Sequence, residues 1–201
     1  MPDLHIAEIQ ANPGLITAHI SLPNAISLTF RPLTPADAPA LVQYFLSLSA
    51  ATQELYGPHD FDQPTADRLC NQIDYTQTIR MVAALPQGEF TAYFILDWKV
   101  RDPQLQRYAE YGLNLDPGTC CQIAPSVGDT WQNQGVGTPL MDHIFKIARQ
   151  LGRNHILLTE GVYAHNTRAV HYYQKLGFQQ VGIFFPSWGK GRPCNDMYRD
   201  L

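Results

Sequence analysis

The sequence predicts an α/β fold of the α+β, mixed-sheet kind, with helices on both faces of the sheet, and three observations carry that prediction. Short β-prone runs alternate along the chain with patterns of helical spacing. The run Cys120 to Val127 enters a glycine-bearing turn and leaves it as a helical pattern at Leu140, Ile144, Ile147, Ala148 and Leu151. A second apolar run, His155 to Thr159, follows, so the three pieces read as a parallel strand-helix-strand crossover of the right-handed kind.

Taken in order, residues 1–24 carry Pro2, Pro13, Gly14 and Pro23 and read as an N-terminal arm or extension. Leu15 to Ile20 within it is either a small strand or part of the arm. A single domain then spans 25–201. Ser27 to Arg31 alternates as a strand does, and Thr34-Pro35 marks a helix start, with Thr34 as the cap of a helix over 35–49 that gathers Leu41, Phe45 and Leu48 on one face. Residues 50–62 are aromatic and turn-rich, and a second helix is expected over 63–76. Strands at 80–85 and 90–100 flank the turn Pro86-Gln87-Gly88-Glu89. The segment 101–118 is longer than a hairpin turn, has helical spacing from Gln104 to Tyr111, and is a candidate lining for a substrate site. Beyond Phe178, strands at 179–185 and 195–201 are separated by 186–193. The principal elements therefore run β-α-α-β-β-β-α-β-α-β-β.

Composition narrows the function classes. With 201 residues, 45% of them hydrophobic, the chain can bury one core. A net charge of −4 leaves no basic footprint for nucleic acid or an acidic membrane surface. Cys70, Cys120, Cys121 and Cys194 form no metal-binding or redox spacing, so no metal is expected, and the vicinal pair reads as two small side chains within a strand. No apolar run approaches membrane-spanning length and no basic, apolar leader begins the chain, which gives a cytoplasmic expectation.

The centre of the sequence is Trp131-Gln132-Asn133-Gln134-Gly135-Val136-Gly137-Thr138. At a helix start the first N–H groups lack intrahelical partners and face the positive end of the dipole, so a loop of this kind is suited to phosphate. Lys-Ser/Thr is absent after the second glycine, which disfavours a nucleoside-triphosphate loop, and the glycine spacing is not that of dinucleotide folds. Downstream stands Asn166-Thr167-Arg168-Ala169-Val170-His171-Tyr172-Tyr173-Gln174-Lys175-Leu176-Gly177-Phe178.

The two motifs together, Gln-x-x-Gly-x-Gly and Asn-x-x-Ala-x-x-x-Tyr-x-x-x-Gly-Phe, resemble the GCN5-related N-acetyltransferase family, strongly from Cys120 onward and loosely from Ser27. The resemblance implies that fold and transfer of an acetyl group from acetyl-CoA to a primary amine, on a small molecule or a peptide. It further implies direct attack in a ternary complex. Val127, Gln132, Asn133, Gln134, Gly135, Val136, Gly137 and Thr138 would bind the cofactor, with Asn166 beside the pantetheine arm and Tyr173 beside the thioester sulfur. The family often has Arg where this chain has Gln132 or Gln134. Glu160, charged where the family is usually apolar, is the candidate base, with Glu54, His59, Glu110 and His165 in reserve. Pro125 lacks an N–H and is expected to interrupt the strand ladder before the loop. The readings left open are a non-catalytic acyl-CoA sensor, a longer acyl donor, an oxygen acceptor and a homodimeric state.

Overall fold

The computed structural model describes residues 4–23, 25–189 and 191–201. Pro2 and Asp3 of the expected arm, Asn24 at its end, and Lys190 in the last connection lie outside the described residues. The strands are β1 (Ala18–Ser21), β2 (Ser27–Pro32), β3 (Thr78–Ala84), β4 (Phe90–Asp97), β5 (Cys120–Val127), β6 (His155–Tyr163), β7 (Gln179–Phe184) and β8 (Cys194–Asp200). They form one mixed sheet in the order β1-β2-β3-β4-β5-β6-β8-β7. The helices are α1 (Ile6–Ala11), α2 (Ala38–Ser47), α3 (Ala50–Leu55), α4 (Gln63–Asn71), α5 (Asp102–Glu110), α6 (Gly137–Gln150) and α7 (Thr167–Lys175). The eleven principal elements expected are thus joined by α1, β1, α3 and α5. Contacts divide the chain into a first unit, Met1–Leu96 with Ala124–Ile147, and a second, Asp97–Ile123 with Ala148–Leu201.

In the first unit, β1 pairs antiparallel with β2, placing Ala18 opposite Phe30, and β2 pairs antiparallel with β3. The run Leu15 to Ile20 is therefore partly strand. A short 3-10 turn, Pro13–Ile16, precedes it, and the Ile16 carbonyl lies 2.9 Å from Nε2 of His143 on α6. That oxygen can only accept, so Nε2 carries the hydrogen. The core gathers Leu33, Leu41, Phe45, Leu48, Leu69, Val82 and Tyr93, with Leu41 and Phe45 one helical turn apart on α2 as expected.

Local structure agrees with the sequence expectation at the first helix start and differs from it at the next two segments. Thr34 is the cap of the first helix start, with Pro35 at the first helical position as expected, and the Asp37 carboxylate completes the cap by taking the Thr34 N–H at 2.7 Å and the Thr34 hydroxyl at 2.8 Å. The Arg31 fork binds the same carboxylate at 2.7 and 2.8 Å. Burial opposes the Asp37 charge, but these partners overcome it and hold the carboxyl below its usual range. Residues 50–55 are helical rather than turn-rich, because Ser49 caps them and Asp129 accepts from the Ser49 N–H and hydroxyl and from the Thr52 hydroxyl. The next helix stops at Asn71, before a turn in which Asp74 accepts from the Thr76 N–H and hydroxyl.

In the second unit, β5 and β6 are parallel, pairing Cys120 to Gln122 with His155 to Leu157. The registered pairs end at Gln122, upstream of Pro125, so the break comes earlier than the proline alone requires. Both Cys120 and Cys121 are buried. β8 pairs antiparallel with β6 and β7, and its register with β6 shifts between Leu158 and Val162. Tyr108 of α5 is fully buried among Val100, Cys120 and Leu157, and its hydroxyl donates to the Met197 carbonyl at 3.0 Å. Segment 101–118 is thus occupied with strands of its own unit, through groups that helical spacing alone did not assign.

Candidate active site

The loop begins where β5 ends, and its base is built from polar contacts to its own unit. Tyr44 Oη and Ser126 Oγ are 2.7 Å apart, and Tyr56 Oη donates to the Ala124 carbonyl at 3.1 Å. The Gly128 N–H donates to Thr91 O at 2.9 Å. A Cβ at Gly128 would meet that oxygen at 3.4 Å and the Tyr44 ring at 3.5 Å, so glycine allows the close approach. Asp129 opens a 3-10 turn, Asp129–Trp131, and its three contacts to Ser49 and Thr52 fix the turn in place.

The two glutamines do structural work inside the loop. Gln132 Nε2 donates to the Val127 carbonyl at 3.0 Å, and Gln134 Nε2 donates to the Thr130 carbonyl. The cofactor candidates Val127 and Gln132 are thus joined to each other. In both bonds the amide N–H donates to a loop carbonyl, so each glutamine ties the loop to itself. The backbone is left-handed at Asn133 (φ 61°) and at Gly135 (φ 77°). No atom lies within 4 Å of the Cβ position at Gly135, which leaves open space beside the main chain. Val136 turns inward and is buried, and α6 starts at Gly137, buttressed by buried Leu140, Met141 and Ile144. The first N–H groups of α6, including Gly137 and Thr138, have no acceptor within the helix. A left-handed glycine beside open space and a helix start fits a phosphate-bearing group.

The remaining candidates belong to the second unit. Asn166 caps α7, its Oδ1 accepting from the Ala169 N–H at 3.2 Å. Tyr173 is 8% exposed and packs edge-on against Phe178 at 5.3 Å between centroids. Burial raises its pKa, so the phenol keeps its proton. Glu160 lies within β6. It is exposed, and its Oε1 accepts from Gln104 Nε2 at 2.6 Å.

The β6 irregularity that presents Glu160 has a local cause. Gly161 has φ 77°, and a Cβ there would lie 2.7 Å from Cys194 Cβ and 2.6 Å from the Phe184 ring. Arg107 of α5 braces the same region, donating to the Thr159 carbonyl and bidentately to buried Asp196 at 2.6 and 2.9 Å. Among the described residues no hydrogen bond links Glu160, Asn166 and Tyr173 to one another. Of the reserves, His59 sits in an aromatic cluster and His165 lies against Tyr163 at 5.2 Å. Glu54 and Glu110 are exposed at the ends of α3 and α5. Reasoning on motifs missed Asp129, Gln104 and Arg107; helical spacing placed the last two on one helix but gave no sign of what they face.

Among the described residues no group of three or more His, Cys, Asp or Glu could hold a metal ion, and no helix is long and apolar enough to cross a membrane. Residues 52–178 match the Acetyltransferase (GNAT) family, and the chain belongs to it. No curated protein is significantly similar in sequence. Among solved structures, the GNAT domain of S. lividans PAT is 22% identical, with a TM-score of 0.72 over 94% of this chain and 99% of that one. Ribosomal-protein-S5-alanine acetyltransferase from Vibrio fischeri is 11% identical, with a TM-score of 0.70 over 91% of this chain and 96% of that one. The yncA protein of Salmonella typhimurium, solved with its cofactor acetyl-CoA, is 17% identical, with a TM-score of 0.63 over 87% of this chain and 94% of that one. These likenesses show the fold.

Proposed function

We propose that this protein transfers an acetyl group from acetyl-CoA to a primary amine by direct attack of the amine on the thioester. The observation that carries the proposal is the loop from Gln132 to Thr138, left-handed at Gly135, beside open space and at the start of α6. Family membership and the neighbour solved with acetyl-CoA support the choice of co-substrate. The loop amides hold the pyrophosphate, each charge-assisted bond being worth about 1.5–3 kcal/mol, so a few suffice without a basic side chain in the loop. The Asn166 carbonyl oxygen caps α7, and its amide N–H groups serve the pantetheine arm. Tyr173, protonated, donates to the leaving thiolate.

The proton on the amine also has to go. An alkylammonium with a pKa of about 10.4 is neutral to only about one part in 2,500 at pH 7, a cost near 4.6 kcal/mol. Glu160 is the proposed acceptor of that proton; Gln104 orients its carboxylate and leaves it exposed. The test is release of CoA thiol from acetyl-CoA across a panel of primary amines, with Glu160→Gln alongside. The proposal expects amine-dependent release that falls in the variant. Tight acetyl-CoA binding with no release for any amine would instead favour an acyl-CoA sensor.

A further inference from the structure

In the first unit, α3 is a helix of six residues that buries none of its own side chains. So short a helix is marginal by itself, and its place depends on the bonds made at its two ends. At the start, Ser49 caps α3, and the Asp129 carboxylate takes the Ser49 N–H at 2.7 Å, the Ser49 hydroxyl at 3.2 Å and the Thr52 hydroxyl at 2.5 Å. Just past its end, the Tyr56 hydroxyl donates to the Ala124 carbonyl of β5 at 3.1 Å. Gln53 Nε2 adds a bond to the Leu48 carbonyl at 3.1 Å, beyond the end of α2. Both ends of α3 are thus fastened to the stretch of chain that leads into the cofactor loop.

Asp129 is bonded to the start of that loop as well. Its carbonyl accepts from the Gln132 N–H at 3.4 Å. The Gln132 side chain, which donates to the Val127 carbonyl, also reaches Asp129 Oδ1 at 3.5 Å. That one oxygen therefore meets Thr52 of α3 and Gln132 of the loop together. Amides that must stand in fixed positions around a pyrophosphate bind it more weakly when the loop is free to move, because binding then has to order the loop.

We propose that Asp129 is a positioning residue for acetyl-CoA: through Ser49 and Thr52 it couples the cofactor loop to α3, so that each orders the other. Such coupling is reciprocal, so a ligand held by the loop steadies α3 by the same factor by which α3 strengthens the ligand. The choice of acetyl-CoA rests on the acetyl-transfer reading; the coupling of loop to helix does not.

The experiment measures the Kd of acetyl-CoA by calorimetry well below Tm, and amide hydrogen exchange of residues 50–55 and 132–138 in the same preparations. Asp129→Ala is expected to bind about tenfold more weakly, and Thr52→Val, which removes one hydroxyl 77 positions away from Asp129, about threefold. Both variants exchange faster than wild type in both segments without ligand, and acetyl-CoA slows exchange of 50–55 in wild type. The double variant binds about as well as Asp129→Ala alone, because the contact that Thr52→Val removes is already gone. Asp129→Asn keeps an oxygen for the Ser49 N–H and retains part of the affinity. In turnover, KM for acetyl-CoA rises in Asp129→Ala while kcat holds. A residue that served stability alone would lower Tm and leave both Kd and the exchange of 132–138 unchanged, and that result overturns the proposal. Additive losses in the double variant overturn it too. Should Asp129→Ala not fold, Thr52→Val decides by the same two readouts. If wild type does not bind acetyl-CoA, the acetyl-transfer reading falls and exchange decides the coupling: faster exchange of 132–138 in Thr52→Val keeps it, and unchanged exchange sinks it.

Discussion

Tyr173 carries the sharpest contrast between chemistry and packing at the residue scale. If its phenol serves the leaving thiolate, Tyr173→Phe keeps the ring against Phe178 but lowers kcat roughly 10²- to 10³-fold. KM for acetyl-CoA stays nearly constant, because that bond strengthens only as the thiolate forms. Turnover within about threefold of wild type, on a preparation of unchanged Tm, takes Tyr173 out of the mechanism. Two half-buried histidines give a second prediction. His59 and His143 have pKa values lowered first by burial, whereas an unfolded chain titrates at about 6.5. The unfolded state therefore binds more protons just below that pH, so their contribution is present above it and is lost as pH falls through the folded values. Tm is expected to decline from pH 7.5 to 5.5, with a shallower slope in His59→Gln and His143→Gln. Slopes unchanged in both variants would assign the acid sensitivity elsewhere.

The loop and the helix after it were readable because they depend on neighbours in the sequence: Gly135 needs a left-handed backbone, and Leu140 and Ile144 fall on one face of α6. Asp37 and Asp129 show where that kind of reading stops. Each is a short acid that could cap its own turn, and only the tertiary structure shows that Asp37 draws in Arg31 while Asp129 reaches back to Ser49 and Thr52. The helix α5 makes the same point on a larger element, since no local pattern says that Arg107 faces an acid 89 positions away. Asp196 is fully buried, so losing its partner leaves a lone charge in the interior. Arg107→Met is therefore expected to cost about 3–5 kcal/mol, or roughly 10 °C in Tm for a chain of this size. Adding Asp196→Asn should restore part of the loss, because an amide removes the unpaired charge. Near-wild-type melting of Arg107→Met would mean that the pair is solvated.

For the whole molecule, the mixed sheet and the family followed from two spaced motifs in the right order, whereas no motif in the sequence names an acceptor. His59 and Tyr93, 3.3 Å apart, come from separate segments and carried no shared signal in the sequence. The cofactor is the more general test, because it acts on the stability of the folded chain. A ligand that binds only the native state stabilises it by RT ln(1 + [L]/Kd), about 2.7 kcal/mol at a hundredfold excess over Kd. For a chain of this size that corresponds to a rise in Tm of roughly 5–10 °C. Gly135→Val tests whether the loop is responsible. No neighbouring atom obstructs a side chain there, so the variant suffers backbone strain of about 1–2 kcal/mol and still folds, but the valine occupies the space beside the amides. Acetyl-CoA should raise Tm in wild type and leave Gly135→Val unmoved in the same scan. An equal rise in both proteins would place the pyrophosphate away from this loop.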